Sequence, residues 1–388
     1  MVPTRFFMPA EWTRHARTVV AWPSLRNTTF ITPASLHAAT DEVSRIAEAV
    51  ARFEPVTLVV TQERAAEARK RFSHPSPPSA FSSRQGQGGH EVRVHPVNNR
   101  DDNGGGLNLW MRDIAPVFAA GRRAGDEGSG GTSGRPSRLR GIDFNFNGWG
   151  GRHSTATCSA LAETLLLDAG TERVRSSLVT EGGAIEVDGE GTLLATESSI
   201  VNPNRNPGMT RGDIEDELGR QLGVSRIIWL PGIKDAESTD CHVDALARFT
   251  PEPGVVLLSR PVGLRETVWM RVYEEARAVL EREKLRVVDV PEPDLSRLEE
   301  PLDEEALKLG YQDHTWLPVM SYVNYYLPNG GVIVPQFGDK AADAMAMAVL
   351  AEVFSRERTL VPVYIRELPV QGGGIHCATQ QVPFYDTQ

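Results

Sequence analysis

Apolar residues along the chain follow two spacings, one helical and one extended. In residues 33–50 they recur every three or four positions, with Thr32 as an N-cap and Pro33 in the first turn. The next apolar run, residues 56–60, is typical of a short strand. The same helix-then-strand order recurs in residues 214–222 with 226–230, 267–284 with 285–290, and 341–354 with 360–365. The pattern predicts an α/β fold.

A second pattern is a polar or glycine-containing corner followed directly by an apolar strand. It occurs in residues 110–118, 180–187, 241–249, 321–327 and 372–380. The recurrence favours a repeated unit whose corners direct polar side chains towards one shared centre. Five unrelated loops in one large open sheet are the alternative, because the segments share no clear sequence identity.

Two stretches rich in Ser, Gly and Pro are predicted to be surface insertions, near residues 73–90 and 121–140. The second lies between two apolar segments, which favours an enlarged hairpin loop over a domain linker. We therefore expect one domain over residues 1–388.

The 388 residues carry a formal net charge of −10 and include three cysteines, Cys158, Cys241 and Cys377. The acidic excess argues against a nucleic-acid partner and would attract a small cation. No apolar run is long enough to span a membrane, and residues 1–15 lack the apolar core of a secretory signal, so we expect a cytoplasmic protein. The cysteines are too few and too scattered for a disulfide framework or a zinc motif.

Residues 242–244 read His-Val-Asp. In a strand, His242 and Asp244 would project from one face, and Val243 would enter the opposite apolar layer. A carboxylate beside an imidazole supports the imidazolium and suits proton transfer near neutral pH. A purely structural hydrogen-bonded pair is the more frequent alternative.

Two further carboxylates stand at corners. Asp113 follows Arg112 and could pair with it, or it could turn inward and bind a cation beside the flat ring of Trp110. Glu181 precedes two glycines, which permit close backbone approach at a crowded site.

Cys377 follows three glycines and precedes polar residues, a setting that favours a loop pressed against a buried centre. A thiol with a pKa of about 8.5 needs a nearby positive charge to act as a nucleophile. Either a histidine or a cationic substrate could supply that charge. Cys158 and Cys241 are interpreted as structural.

Several carboxylates around one cysteine suit a planar guanidinium or amidinium group, whose N–H groups bind carboxylates in bidentate fashion. Two alternatives remain open at this point. A divalent metal at His242, Asp244, His376 and Cys377 would give a metallohydrolase, but the spacing is not a recognised metal pattern. A catalytically silent protein that binds polyamines or guanidines is the other.

Eight motifs in order resemble the agmatine deiminase family, which includes bacterial-type peptidylarginine deiminases. They run from Met8 to Pro383 and leave out mainly the two insertions: MPAEWTRHARTVVAWP, LWMRDIAP, DFNFNGWGGR, TEGGAIEVDGEGTLLATESSIVNPNRNP, IWLPGI, DCHVDALARF, SYVNYYLPNGGVIVPQFGD and GGGIHCATQQVP. The resemblance implies a five-bladed α/β propeller with pseudo-fivefold symmetry, the pentein fold, without metal or organic cofactor. It also implies a homodimer or larger homo-oligomer.

The resemblance further implies site residues. Cys377 corresponds to the nucleophile and His242 to the general acid and base, while Asp113 and Asp244 hold the guanidinium. Glu181 corresponds to the residue that orients the histidine. Trp110 would form a pocket wall, and Asn324 and Gly374 would line the pocket.

The implied reaction converts agmatine and water to N-carbamoylputrescine and ammonia through a covalent thiouronium on the cysteine. Many family members carry glycine where this chain has Cys241, so the part of the pocket that reads the far end of the substrate can differ. Peptidyl arginine, free arginine or another small guanidine is the alternative substrate. A pocket arginine, for which Arg152 and Arg205 are candidates, would favour the arginine substrates.

Overall fold

A computed structural model of the protein describes residues 4–24, 32–73, 89–100, 106–123, 138–153, 156–263, 267–302, 318–354 and 357–385. Its α-helices are Pro33–Val50, Ala65–Arg71, Met111–Ile114, Gly148–Gly151, Ala156–Ser159, Leu161–Asp168, Glu197–Ile200, Arg211–Leu222, Val268–Arg282, Lys340–Phe354 and Glu367–Val370. Its 3-10 helices are Gln62–Arg64, Gly182–Ala184, Val243–Ala245 and Leu295–Arg297. Within these ranges, no helix has the length and apolarity needed to cross a bilayer.

Sixteen strands are described. They are β1 (Thr4–Phe7), β2 (His15–Ala21), β3 (Val56–Thr61), β4 (Val92–Val97), β5 (Val117–Arg123), β6 (Arg138–Asp143), β7 (Glu172–Arg175), β8 (Ile185–Val187), β9 (Thr192–Thr196), β10 (Arg226–Leu230), β11 (Ala247–Phe249), β12 (Val255–Arg260), β13 (Arg286–Pro291), β14 (Gly331–Gln336), β15 (Thr359–Tyr364) and β16 (Thr379–Pro383).

The predicted helix-then-strand pairs are confirmed, because each helix has an apolar face to bury. The first helix begins at Pro33, and the Thr32 side chain accepts a hydrogen bond from the backbone N–H of Ser35. The third pair begins in the same way, since Thr267 caps the helix Val268–Arg282. The fold is mixed α/β, as expected.

Among the described residues, the strands form five small sheets with one recurring order. In β5-β6-β7, β8-β9-β10, β11-β12-β13 and β16-β2-β3, the first two strands are antiparallel and the last two are parallel. In the remaining sheet β14 and β15 are parallel, and a single antiparallel bridge joins Tyr326 to Ile333. Because Pro328 follows closely and has no N–H to donate, this corner forms a bridge where a strand was predicted.

The predicted insertions lie mostly outside the described residues, which exclude 74–88 and 124–137. The second insertion is bounded by β5 and β6, which pair in antiparallel fashion with Gly121 opposite Arg138. The expected hairpin is therefore confirmed, but its predicted limits at 121 and 140 are too wide, because both strands extend further towards the loop.

A buried ion network links the sheets at their corner ends. Arg248 of β11 is fully buried and donates hydrogen bonds to Glu186 of β8, to Glu11, and to the carbonyl of Tyr325. Glu11 also accepts from Arg112, so one carboxylate holds two arginines from different parts of the chain. Because a buried charge without a partner is costly, these contacts fix the corners relative to one another.

Replacement of Arg248 by Met should destabilise the protein by about 3–5 kcal/mol, because Glu11 and Glu186 would lose a buried countercharge. Urea unfolding of the variant would measure this change. The matched control is Arg286→Met, whose exposed partner Glu252 lies 2.8 Å away, and whose loss should cost at most about 1 kcal/mol. Equal losses in the two variants would contradict the proposed role of the network.

Candidate active site

One pocket gathers side chains from four of the five corners. It is lined by Trp110 and Asp113 of the first corner, His242 and Asp244 of the third, Ser321 of the fourth and Cys377 of the fifth. Glu181 of the second corner stands behind His242. The predicted carboxylates, histidine and cysteine therefore meet in one place.

The glycines before Cys377 allow its loop to pack closely on the pocket wall. A Cβ on Gly373 would lie 2.5 Å from the Trp110 ring, and a Cβ on Gly374 would lie 2.5 Å from Asn324 Oδ1. Gly372 has a φ of +95°, which side chains rarely adopt. Three consecutive glycines are needed because each position excludes a side chain for its own reason.

The Cys377 sulfur has polar neighbours. Asn324 Nδ2 donates to Sγ at 3.3 Å, and Asp244 Oδ2 lies 3.5 Å from it. Asn324 Oδ1 accepts the backbone N–H of His376 at 3.0 Å, which fixes the loop. Asn324 and Gly374, predicted to line the pocket, thus lie beneath the cysteine, where they position it.

Asp244 presents one free oxygen. Its Oδ2 contacts His376 Nδ1 at 2.8 Å, whereas Oδ1 is buried and has no hydrogen-bond partner among the described residues. Although burial alone would raise the pKa of Asp244, His376 lowers it below its ordinary value. The carboxylate is therefore ionised and has an acceptor to offer to a ligand.

Asp113 turns inward and does not pair with Arg112, which settles the alternative that the sequence left open. Its Oδ1 accepts from the backbone N–H of Gly183 at 2.9 Å, and its Oδ2 accepts from Trp149 Nε1 at 2.9 Å. Burial, together with the nearby Asp244 and Glu181, raises the pKa of Asp113 to about 6.

Gly183 lies between the reacting groups. A Cβ there would be 2.7 Å from His242 Nδ1, 2.8 Å from Asp113 Oδ1 and 3.2 Å from Asp244 Oδ2. Only a residue without a side chain lets the histidine and both aspartates converge at these distances.

His242 is surrounded by carboxylates. Its Nε2 is 3.4 Å from Glu181 Oε2, and its Nδ1 is 3.7 Å from Asp113 Oδ1. Burial lowers the pKa of His242, but Asp113 and Glu181 outweigh this effect and raise it to about 9. The ring is therefore protonated at neutral pH and can act as an acid.

Glu181 is held by Arg205, which donates to both of its oxygens at 2.9 and 3.0 Å. Arg205 also pairs with Asp240, as does Arg152. The two arginines proposed as pocket residues are thus bound to carboxylates, and neither lines the pocket.

The predicted strand conformation of residues 242–244 is wrong. Val243–Ala245 forms a 3-10 turn, and β11 begins only at Ala247. The left-handed backbone of Asp240 and Cys241 redirects the chain, so that His242 and Asp244 still reach one pocket. Cys241 has a φ of +73°, which explains why glycine suits this position.

Cys241, interpreted from sequence as structural, also lines the pocket. Burial raises the pKa of its thiol to about 12, so it stays protonated and unreactive. Cys158 is buried in the helix Ala156–Ser159 and does not line the pocket.

Trp149 and Glu11 were not identified from the sequence, and His376 was named there only as a ligand of the alternative metal site. His376 lies between Asp244 and Glu11, at 2.8 Å from each. Trp149 is delivered to Asp113 by a left-handed segment in which Gly148 and Gly150 also have positive φ. The glycines on either side of Trp149 and the position of His376 next to Cys377 were sequence features that could have pointed to these two residues. No sequence feature distinguished Glu11.

Comparisons with known proteins show the family to which the chain is similar. Residues 7–383 match the family model described as Porphyromonas-type peptidyl-arginine deiminase. The chain is 33 % identical to an agmatine deiminase of Medicago truncatula, covering 97 % of this chain and 96 % of that protein. It is 35 % identical to an agmatine deiminase of Pseudomonas aeruginosa, with 97 % and 95 % covered. The solved agmatine deiminase of Enterococcus faecalis superposes with a TM-score of 0.75 at 26 % identity, over 97 % of this chain and 96 % of that one.

The site predicts an unusual titration of Cys377. Burial and the charges of Asp244 and Asp113 raise the pKa of its thiol well above the ordinary value. Alkylation by neutral iodoacetamide in the ligand-free protein should therefore keep accelerating above about pH 9, because the thiolate is the reactive form. Mass spectrometry of the alkylated peptide separates Cys377 from Cys158 and Cys241. A rate that levels off near neutral pH would contradict this electrostatic environment.

Proposed function

Because the chain belongs to the Porphyromonas-type peptidyl-arginine deiminase family, we propose that it is an agmatine deiminase. The reaction consumes agmatine and water and yields N-carbamoylputrescine and ammonia. The observation that carries this proposal is the convergence of Asp113 and Asp244 on the sulfur of Cys377, with His242 beside them. No metal or organic cofactor takes part.

Asp113 and Asp244 bind the guanidinium of the substrate. The free Oδ1 of Asp244 accepts one N–H group, and Asp113, oriented by Trp149 and Gly183, accepts others. Trp110 forms a flat wall of the pocket beside them. This arrangement holds the central carbon of the guanidinium near Cys377 Sγ.

The bound cation activates the thiol. In the free protein the two aspartates suppress the thiolate, and a guanidinium between them cancels their charge and lowers the pKa of Cys377. The thiol proton passes to solvent water, the resulting thiolate attacks the central carbon, and a neutral tetrahedral adduct forms. Protonated His242 then donates its proton to the departing amine, which leaves as ammonia.

The remaining thiouronium is hydrolysed with the same histidine. Neutral His242, oriented by Glu181, takes a proton from water, and the resulting hydroxide attacks the thiouronium carbon. The C–S bond breaks, the sulfur returns as thiolate, and the ureido product is released.

Free or peptidyl arginine is the competing substrate. Either would place a carboxylate or amide group where agmatine has only an amine. In the part of the chain that the structure describes, no arginine or lysine lines the pocket. An acidic pocket of this kind favours agmatine.

The proposal extends to the architecture and the assembly. The five sheets are the blades of one five-bladed α/β propeller with pseudo-fivefold symmetry, in a single catalytic domain over residues 1–388. The shared strand order and the pairing of β16 with β2, which places the last strand in one sheet with strands near the start of the chain, support it. A reactive unpaired cysteine fits the reducing cytoplasm, and the family resemblance supports a homodimer or larger homo-oligomer.

An ammonia-release assay on agmatine, free arginine and a blocked arginine peptide tests the proposed reaction. Agmatine should be preferred at least about 100-fold in kcat/KM. Cys377→Ala should abolish ammonia release while the melting temperature is retained, which separates an enzyme from a silent binding protein. Faster turnover of either arginine substrate would overturn the choice of agmatine, and full activity of the variant would overturn the mechanism.

The pH dependence of kcat/KM should be bell-shaped. Activity is lost as pH falls through about 6, because Asp113 gains a proton and no longer attracts the guanidinium. It is lost again as pH rises through about 9, because His242 loses the proton that the leaving amine requires. Steady-state rates between about pH 5 and pH 10 measure both limbs. A profile that keeps rising beyond pH 9 would contradict the role of His242 as an acid.

A further inference from the structure

The same pocket is also lined by apolar and aromatic side chains, namely Pro261, Val262, Trp269, Tyr273, Leu295 and Met320. A further carboxylate, Glu292, lines it directly after β13. The mechanism proposed above uses none of these residues.

Glu292 lacks the arginine partner that three glutamates of the centre have. Glu11, Glu181 and Glu186 each contact an arginine, whereas Glu292 forms no ion pair with any residue in the described ranges. Its Oε1 accepts a hydrogen bond from Ser259 Oγ at 2.7 Å. Burial raises the pKa of Glu292 to about 7, and the Ser259 contact only partly opposes this effect. A carboxylate in this state gains from a ligand that brings a positive charge.

Hydrogen bonds connect Glu292 to the corners that hold the reacting groups. Ser321 Oγ donates to Ser259 Oγ at 2.9 Å, and the backbone N–H of Asn324 donates to the carbonyl of Ser321 at 3.1 Å. Asn324 in turn contacts the sulfur of Cys377. The carboxylate and the nucleophile therefore line the same pocket and are joined through one corner.

Glu237, the other glutamate that lines the pocket, already accepts several hydrogen bonds. Glu237 accepts hydrogen bonds from the backbone and hydroxyl of Thr239 and from the backbone N–H of Cys241. It holds the turn before His242 and has little capacity left for a ligand. Glu292 is the better receptor for a charge at the far end of the substrate.

We propose that Glu292 binds the distal ammonium of agmatine, while the apolar wall around Trp269 and Met320 packs against the methylene chain. The inference rests on the proposed agmatine deiminase function and assigns its specificity. A substrate without the amine leaves the carboxylate unpaired, and arginine brings its α-carboxylate towards a like charge. A substrate without the amine and arginine are therefore both disfavoured at Glu292, and not at the groups that carry out the reaction.

The test compares agmatine with n-butylguanidine, which has the same guanidinium and chain length but no amine. In the wild type, agmatine should be preferred. In Glu292→Gln, kcat/KM for agmatine should fall about 30-fold, mainly through KM, while that for n-butylguanidine should stay the same or rise. The ratio of agmatine to arginine turnover should fall as well. A merely structural role would lower the activity towards all three substrates together.

Asp294→Asn is the matched control. It removes one negative charge two residues further along the same loop, and Asp294 does not line the pocket. Its substrate preferences should equal those of the wild type. If Glu292→Gln is unstable on heating, Glu292→Leu provides a second neutral variant and should show the same loss of preference.

The outcomes separate the two proposals. If the wild type releases no ammonia from agmatine, the proposed function fails and the inference fails with it. If the wild type acts on agmatine but a folded Glu292 variant keeps the full preference for agmatine over n-butylguanidine, only the assignment of Glu292 is overturned.

Discussion

The centre of the structure depends on buried carboxylates that are paired with basic side chains. Glu11 is the clearest case, because Arg112, Arg248 and His376 all contact it. Although burial opposes ionisation, these three groups hold the pKa of Glu11 well below its ordinary value. Through His376 the same carboxylate orients Asp244, so that the stability of the centre and the geometry of the site rest on one set of contacts.

The groups that line the pocket next to this network are not fully compensated in charge or hydrogen bonding in the ligand-free protein. Asp244 has an oxygen without a partner among the described residues, and Asp113 has a raised pKa. Burial together with these two aspartates keeps the Cys377 thiol protonated. Each of these features costs free energy in the ligand-free protein, and a bound planar cation removes that cost. An enzyme arranged in this way develops its nucleophile only when the correct charge is bound, which limits side reactions of the thiol.

The sequence predicted the local features well, because they depend on neighbouring residues. The helix from Pro33 follows from apolar spacing and a cap, and the glycines before Cys377 follow from the need for close approach. The network around Glu11 could not be predicted in this way, because Glu11 and His376 are 365 positions apart. Likewise, the 3-10 turn at 243–245 depends on the left-handed backbone of Asp240 and Cys241, which no alternation of apolar residues reveals.

The pairing of β16 with β2 places Thr379 opposite Val20. The loop that carries the sulfur atom is thus anchored to a strand near the other end of the chain, and this pairing requires nearly the whole chain to be present. Long-range pairing of this kind is slow to form and is completed late in folding. During synthesis on the ribosome, a partly made chain would therefore hold its carboxylates without the thiol, which would join them only after β16 had been made and had paired with β2.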